Sequence, residues 1–182
     1  MNIELIRATV EDAQQLWEMQ VKSFQKLLDK YQDYETSPAS EPINKMISRL
    51  NQKETYYYFI CVDNVKVGAI RVIDYQTERN KRISPLYILP EYQNRGIAQN
   101  AMKICEQIHG SEKWELDTIL QEEGNCYLYE KMGYHKSGKT ALEHKIDDLS
   151  EHSADMDAYI GIVDKEDLQT AADQQSGNRL FE

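Results

Sequence analysis

The sequence predicts an α/β fold in which about seven strands form a twisted sheet flanked by about four helices. Three observations carry this. Strand-like and helix-like periodicities alternate along the 182 residues with no internal repeat and no linker long enough to divide the chain. Thr55 to Asp74 is dense in aromatic and β-branched residues, broken by Asp63 and Asn64. The apolar stretch Ile83 to Leu89 stops at Pro90 and gives way to an amphipathic helix opened by Gly96. A chain of this length buries one core, so the reading is a single domain over 1–163 with a polar tail or interface element over 164–182.

The elements follow in order. Ile3 to Arg7 alternates apolar and polar residues as a short strand does. Thr9 with Asp12 forms a helix start, after which Ala13, Leu16, Trp17, Gln20, Val21 and Phe24 share one helical face. Gln32 to Pro42 is a turn-rich interruption. Ile43, Met46, Ile47 and Leu50 recur at the spacing of a second helix. Thr55 to Val62 and Val65 to Asp74 make a hairpin. Ile83 to Leu89 is the fourth strand, and Ile97, Ala101, Ile104, Cys105 and Ile108 form the stripe of a third helix that Gly110 ends. Trp114 to Thr118 is expected as a strand, Cys126 to Met132 as a short helix, and Tyr134 to Lys145 as a strand. Met156, Ala158, Ile160 and Ile162 alternate as a last strand.

The junction Ile88 to Gln99, ILPEYQNRGIAQ, carries the most specific chemistry. A helix's first turn leaves about four amides without intrahelical acceptors, and the peptide dipoles add about half a positive charge there. Such an end binds phosphate readily. Gly96 removes a Cβ that would hold a ligand off the backbone, and Arg95 adds a cation. The same glycine could equally serve packing. Gly96 is followed by Ile97 and Ala98, so neither the Walker loop with its Lys and Ser or Thr nor a three-glycine dinucleotide fingerprint is present.

The segment resembles motif A of the GNAT superfamily of acyl-CoA N-acyltransferases, with Gln93, Gly96 and Ala98 at the fixed places of Gln/Arg-x-x-Gly-x-Gly/Ala. Downstream, Asn125 to Tyr134 resembles motif B, ending in Tyr129, Glu130, Lys131, Met132, Gly133 and Tyr134. The resemblance implies the GNAT fold over roughly Ile3 to Val163, with a central mixed, mostly antiparallel sheet splayed between its fourth and fifth strands. It implies that Gln93, Asn94, Arg95, Gly96, Ile97, Ala98 and Gln99 grip the pyrophosphate of coenzyme A. The backbone of Ile88 and Leu89 is then expected to meet the pantetheine amides and the thioester carbonyl, with Asn125 a more distant match to the family's pantetheine contact.

The implied reaction is direct attack of a primary amine on the thioester carbon of acetyl-CoA, the cosubstrate, in a ternary complex. By the same resemblance Tyr129 is the candidate general acid for the departing thiolate, a role that typically contributes ~100- to 10,000-fold. An aromatic packed into its helix is the other reading of that residue. The fourth strand lacks the glutamate that some members use as a base. Glu115 and Asp117 alternate with Leu116 on the fifth strand and could face the cleft together, as could Glu122 and Glu123. Each could also be a solvated carboxylate, which leaves proton loss through water open. Tyr31, Tyr34, Glu35 and Tyr75 suggest a cleft for a small polar amine or could be surface positions.

Composition sets the remaining bounds. With 41% hydrophobic and 29% charged residues the chain is an ordinary globular protein. No run reaches a membrane span and no basic segment precedes an apolar one near the start, so a cytoplasmic location and no membrane partner are expected. Cys61, Cys105 and Cys126 are odd in number and widely spaced, which argues against a disulfide framework and against a zinc site; no metal is expected. Cys105 suits packing, and Cys126 lacks a local base that would make it a nucleophile. A net charge of −10 disfavours nucleic acid as a partner. It favours cationic amines, although excess carboxylates also serve solubility. A homodimer is possible. Two functions stay in view: an N-acetyltransferase acting on a small-molecule or peptide amine, and a non-catalytic acyl-CoA-binding sensor or interaction module.

Overall fold

Asp63 and Asn64 both take positive φ (47° and 68°), which makes the two-residue turn that joins Thr55–Val62 (β2) to Val65–Ile73 (β3) match the right-handed twist of its strands. Around this hairpin the computed structural model builds the expected α/β class. It describes residues 1–119, 122–141 and 159–165, which fall into two compact units, Met1–Gly110 and Ser111–Glu182.

In the first unit Ile3–Arg7 (β1), β2, β3 and Lys81–Ile88 (β4) pair in that order, every pairing antiparallel. Ala13–Tyr31 (α1) and Ile43–Leu50 (α2) cover one face, and Ile97–His109 (α3) packs on β1 and β4. The α1 start is as expected: the Thr9 N–H donates to the Asp12 carboxylate at 2.9 Å. A single 3-10 turn over Val10–Asp12 precedes the helix proper. Gln32, in the left-handed region (φ 51°), ends the helix and donates its N–H to Leu28 O at 2.7 Å.

The core of this unit joins Leu16, Met19 and Met46 to Tyr57, Phe59, Cys61, Ala69 and Tyr87. Each large side chain fully buried here contributes about 1.5 to 3 kcal/mol. The buried carboxamide of Gln20 in this layer is paired. Gln20, wholly buried, donates to Pro38 O (2.8 Å) and to the Glu41 carboxylate (3.0 Å) and receives the Tyr57 hydroxyl at 3.4 Å. Glu41 in turn takes a two-pronged bond from Arg49 at 2.6 and 2.7 Å. The turn-rich segment between the helices is therefore tied to α1 and α2 by a buried polar cluster. Only Gln20 of that cluster was legible, as a position on the helix's inner face.

The strand β4 is not regular. Its register against β3 shifts where Arg71 lies opposite Ser84 and Pro85, and the Arg71 guanidinium donates to Ser84 O at 2.9 Å in place of the interrupted ladder. Beyond the shift the pairing resumes with Ala69 opposite Tyr87 and Gly68 opposite Ile88.

In the second unit Trp114–Ile119 (β5) and Tyr134–Ala141 (β6) both pair antiparallel with Tyr159–Lys165 (β7), which lies between them. Glu123–Lys131 (α4) packs on β5 and β6. The helix begins at Glu123, ahead of the Cys126 start read from the sequence, because Gly124 and Asn125 enter its first turn: the Asn125 and Cys126 amides both donate to Glu122 O. Gly133, at φ 89°, closes it and donates to Glu130 O at 3.0 Å, which explains the glycine of the Tyr129–Tyr134 signature. The last strand includes Ile160 and Ile162 and runs to Lys165. Met156, Ala158, the strand end proposed over 142–145 and residues 166–182 of the tail lie outside the described residues.

Buried phenols give this fold a defined alkaline limit. Burial pushes the Tyr57 and Tyr87 hydroxyls well above their ordinary range and that of Tyr129 up to about 12. Unfolded tyrosines ionise near pH 10, so the stability these groups contribute is complete below about pH 10 and is lost as the pH rises from there toward their folded values. Thermal melting as a function of pH should stay level from neutrality to about pH 10 and then fall. A fall that begins near pH 8 would refute this account.

Candidate active site

Pro90–Tyr92 forms one 3-10 turn after β4, and the chain then passes through two left-handed residues, Asn94 (φ 60°) and Gly96 (φ 72°), into α3. Asparagine tolerates that conformation, and glycine adopts it without strain. Gln93, Asn94, Arg95 and Gly96 are exposed, whereas Ile97 turns inward and is buried. The amides of Ile97, Ala98 and Gln99 stand in the first turn of a thirteen-residue helix. They have no helical carbonyl four residues back to bond, and the positive end of the helix dipole lies with them. The Gly96 carbonyl is held by Asn100 twice, through its N–H at 3.1 Å and its side-chain amide at 3.0 Å. Asn100 is a supporting residue that the motif does not mark.

The turn is braced on its other sides. The Arg95 guanidinium donates to Glu91 O at 2.8 Å and lies 5.5 Å from the centre of the Tyr92 ring. Lys22 of α1 pairs with Glu91 at 2.7 Å, and this hydrogen bond holds the Glu91 carboxyl below its usual range. The pair is exposed on both sides and contributes little to stability. Sequence periodicity gave no sign of either Lys22 or Glu91 in this role, because the contact spans 69 residues.

At the strand end one expectation is corrected. The Leu89 N–H donates to Val67 O at 2.8 Å and is spent on the sheet, so it is not available to a ligand. With Leu89 bonded to the residue before Gly68, the Gly68–Ile88 pair is of the type that exchanges no ladder bonds. The N–H and C=O of Ile88 therefore point away from β3, and the carbonyl accepts the Gln93 side-chain amide at 2.9 Å.

In the second unit Trp114, Leu116 and Thr118 are buried, while Glu115 and Asp117 lie half-buried together on the other face of β5, the alternation read from the sequence. Glu122 is half-buried at the start of α4, and Glu123 and Asn125 are exposed in its first turn. Tyr129 is buried, with its ring edge-on to Tyr134 at 6.2 Å between centres. Its hydroxyl, pushed up to about 12 by burial, is protonated at neutral pH. Cys126 is half-buried on the same helix, whereas Cys105, buried in α3, has its thiol pushed up to about 12 and is inert. Among the described residues no cluster of three metal-ligating side chains occurs, and no helix is long and apolar enough to cross a membrane.

In the first unit the fourth strand runs through a proline turn into a glycine-opened helix, and in the second a short helix bears a buried tyrosine of raised pKa. The profile of the acetyltransferase (GNAT) family matches residues 13–134, and the chain belongs to that family. Among solved structures the fold is similar to PaiA N-acetyltransferase from Thermoplasma acidophilum in complex with coenzyme A, at 16% identity, TM-score 0.60, and coverage of 92% of this chain and 100% of that one. It is also similar to spermidine N-acetyltransferase from Vibrio cholerae in complex with CoA and spermine (13% identity, TM-score 0.65, 90% and 95% covered). A third is a GNAT family acetyltransferase from Elizabethkingia anophelis with acetyl-CoA bound (14%, 0.60, 91% and 98%). No curated protein matches the chain by sequence.

Proposed function

We propose that this protein is an N-acetyltransferase that moves the acetyl group of acetyl-CoA to a primary amine of a small molecule or peptide, by direct attack in a ternary complex. The observation that carries the reading is the α3 entry, where left-handed Gly96 opens a helix end of unsatisfied amides at the family's pyrophosphate motif. Those amides, with Arg95, suit a pyrophosphate, and the outward N–H of Ile88 suits an amide or carbonyl oxygen of the arm that follows it. Acetyl-CoA supplies the activated thioester. As the amine nitrogen bonds to the acyl carbon and the carbon–sulfur bond breaks, Tyr129 gives its hydroxyl proton to the leaving sulfur. The amine's own proton goes to water or to a carboxylate, for which Glu115 and Asp117 are the candidates.

Charge and fold likeness together support a cationic amine as the acceptor. A net charge of −10 raises the local concentration of cationic amines, and one protein of similar fold is named for spermidine. Thiol release from acetyl-CoA should accelerate when polyamines, amino acids, aminoglycosides or peptides are supplied in turn, with a polyamine among the responders. Binding of acetyl-CoA without acceleration by any amine would instead support a sensor or interaction module.

A further inference from the structure

Gln93 is the first fixed residue of the phosphate motif, yet its side chain turns back toward the sheet: the carboxamide nitrogen donates to Ile88 O at 2.9 Å, five residues upstream. Its own backbone is extended (φ −66°, ψ 165°), with the N–H donating to Pro90 O at 3.3 Å. Ile88 is fixed from below as well. A Cβ added to Gly68 would stand 2.3 Å from Tyr87 O and 3.1 Å from Ile88 Cα, so only glycine lets β4 lie this close to β3. The neighbouring Leu89 N–H is held by Val67 O. The Ile88 peptide is thus pressed against Gly68 on one side and tied at its carbonyl by Gln93, with its N–H aimed away from β3.

We infer that Gln93 is a positioning residue and not a phosphate ligand: its carboxamide locks the Ile88 peptide and thereby sets the distance between the pyrophosphate turn and the strand end that receives the pantetheine arm. The inference rests on the acyl-CoA reading of this site. A neutral carboxamide that spends a donor on a backbone carbonyl adds no charge to the anion site, where the α3 amides and Arg95 provide the positive potential. What it fixes is registry. The turn and the strand end must bind two parts of one molecule at once, and a loose joint between them costs affinity for the whole molecule without changing affinity for either part.

The test uses the full chain and two ligands in titration calorimetry: acetyl-CoA, and the adenine nucleotide half of coenzyme A, which keeps the pyrophosphate and lacks the arm. Gln93→Leu, which keeps the bulk and loses the donor, should weaken acetyl-CoA by roughly tenfold, the net worth of about one hydrogen bond, and leave the nucleotide half unchanged. Gln93→Arg, which restores a donor, should recover acetyl-CoA affinity. Equal weakening of both ligands by Gln93→Leu would make the side chain a phosphate ligand and overturn the inference, as would unchanged affinity for acetyl-CoA or failure of Gln93→Arg to rescue. If the unaltered protein binds neither ligand, the acyl-CoA reading itself falls and the inference with it; binding of both by the unaltered protein separates the two failures. Gln93 is exposed, so the variants should melt with the parent, and Gln93→Ala provides a second loss of donor.

Discussion

Tyr129→Phe is expected to lower turnover by about 100- to 10,000-fold while leaving the affinity for acetyl-CoA nearly intact. That range is about 3 to 5 kcal/mol of transition-state stabilisation, as befits a group that acts only when the carbon–sulfur bond breaks. The substitution removes one oxygen and keeps the ring that packs edge-on to Tyr134, so no cavity of consequence forms and the helix stays in place. Because burial pushes the hydroxyl up to about 12, the proton it is proposed to donate is present across the neutral and mildly alkaline range. The turnover profile of the parent should therefore rise with pH as the acceptor amine loses its proton, and show no descending limb from this residue below about pH 10. Paired measurement of kcat and of acetyl-CoA affinity in parent and variant decides the matter. A Phe variant that loses affinity in proportion to turnover would make Tyr129 a binding residue.

Strand and helix periods located β1 to β5, and Asp63–Asn64 marked its turn, because local propensity and burial agree there. The turn at Gly96 was legible because its chemistry is local: a proline, a left-handed glycine and the first turn of one helix fall within a dozen residues. The alternation that put Glu115 and Asp117 on one face was legible for the same reason. What stayed hidden depends on contacts across the chain. Gly68 reads as an ordinary glycine in a strand until Tyr87 O is seen pressed against it, and Arg71 reads as a charge in an apolar strand until it is found bonded to Ser84 O. The Leu89 amide illustrates the limit best. Whether a strand-end N–H is free or spent depends on the register of its neighbour, a quantity fixed here by a shift at Arg71 that no periodicity encodes.

Gly96→Glu is expected to abolish most of the acetyl-CoA affinity, by at least about 30-fold, while a saturated enzyme would still turn over. Two costs combine. Space is not one of them, since the nearest atom to an added Cβ is Asn100 Nδ2 at 4.0 Å. The first is conformational: φ of 72° costs a residue with a Cβ about 1 to 2 kcal/mol, which the chain either absorbs as lost stability or relieves by swinging the turn away from its binding shape. The second is electrostatic, because the new carboxylate stands at the helix end proposed to hold the pyrophosphate, and like charges about 4 Å apart repel by about 1 to 4 kcal/mol between the water and near-surface limits. Gly96→Ala carries only the first cost, so the two variants separate strain from charge. Salt separates them again: added salt screens the repulsion and should recover part of the loss in Gly96→Glu, but none of the loss in Gly96→Ala. Calorimetric affinities for both variants at low and high salt provide the reading. Equal, salt-independent losses would mean that the turn serves shape alone and that the phosphates bind elsewhere, whereas the expected split would place the anion at the α3 end, with Tyr129, the proposed proton donor, contributing to rate and not to grip.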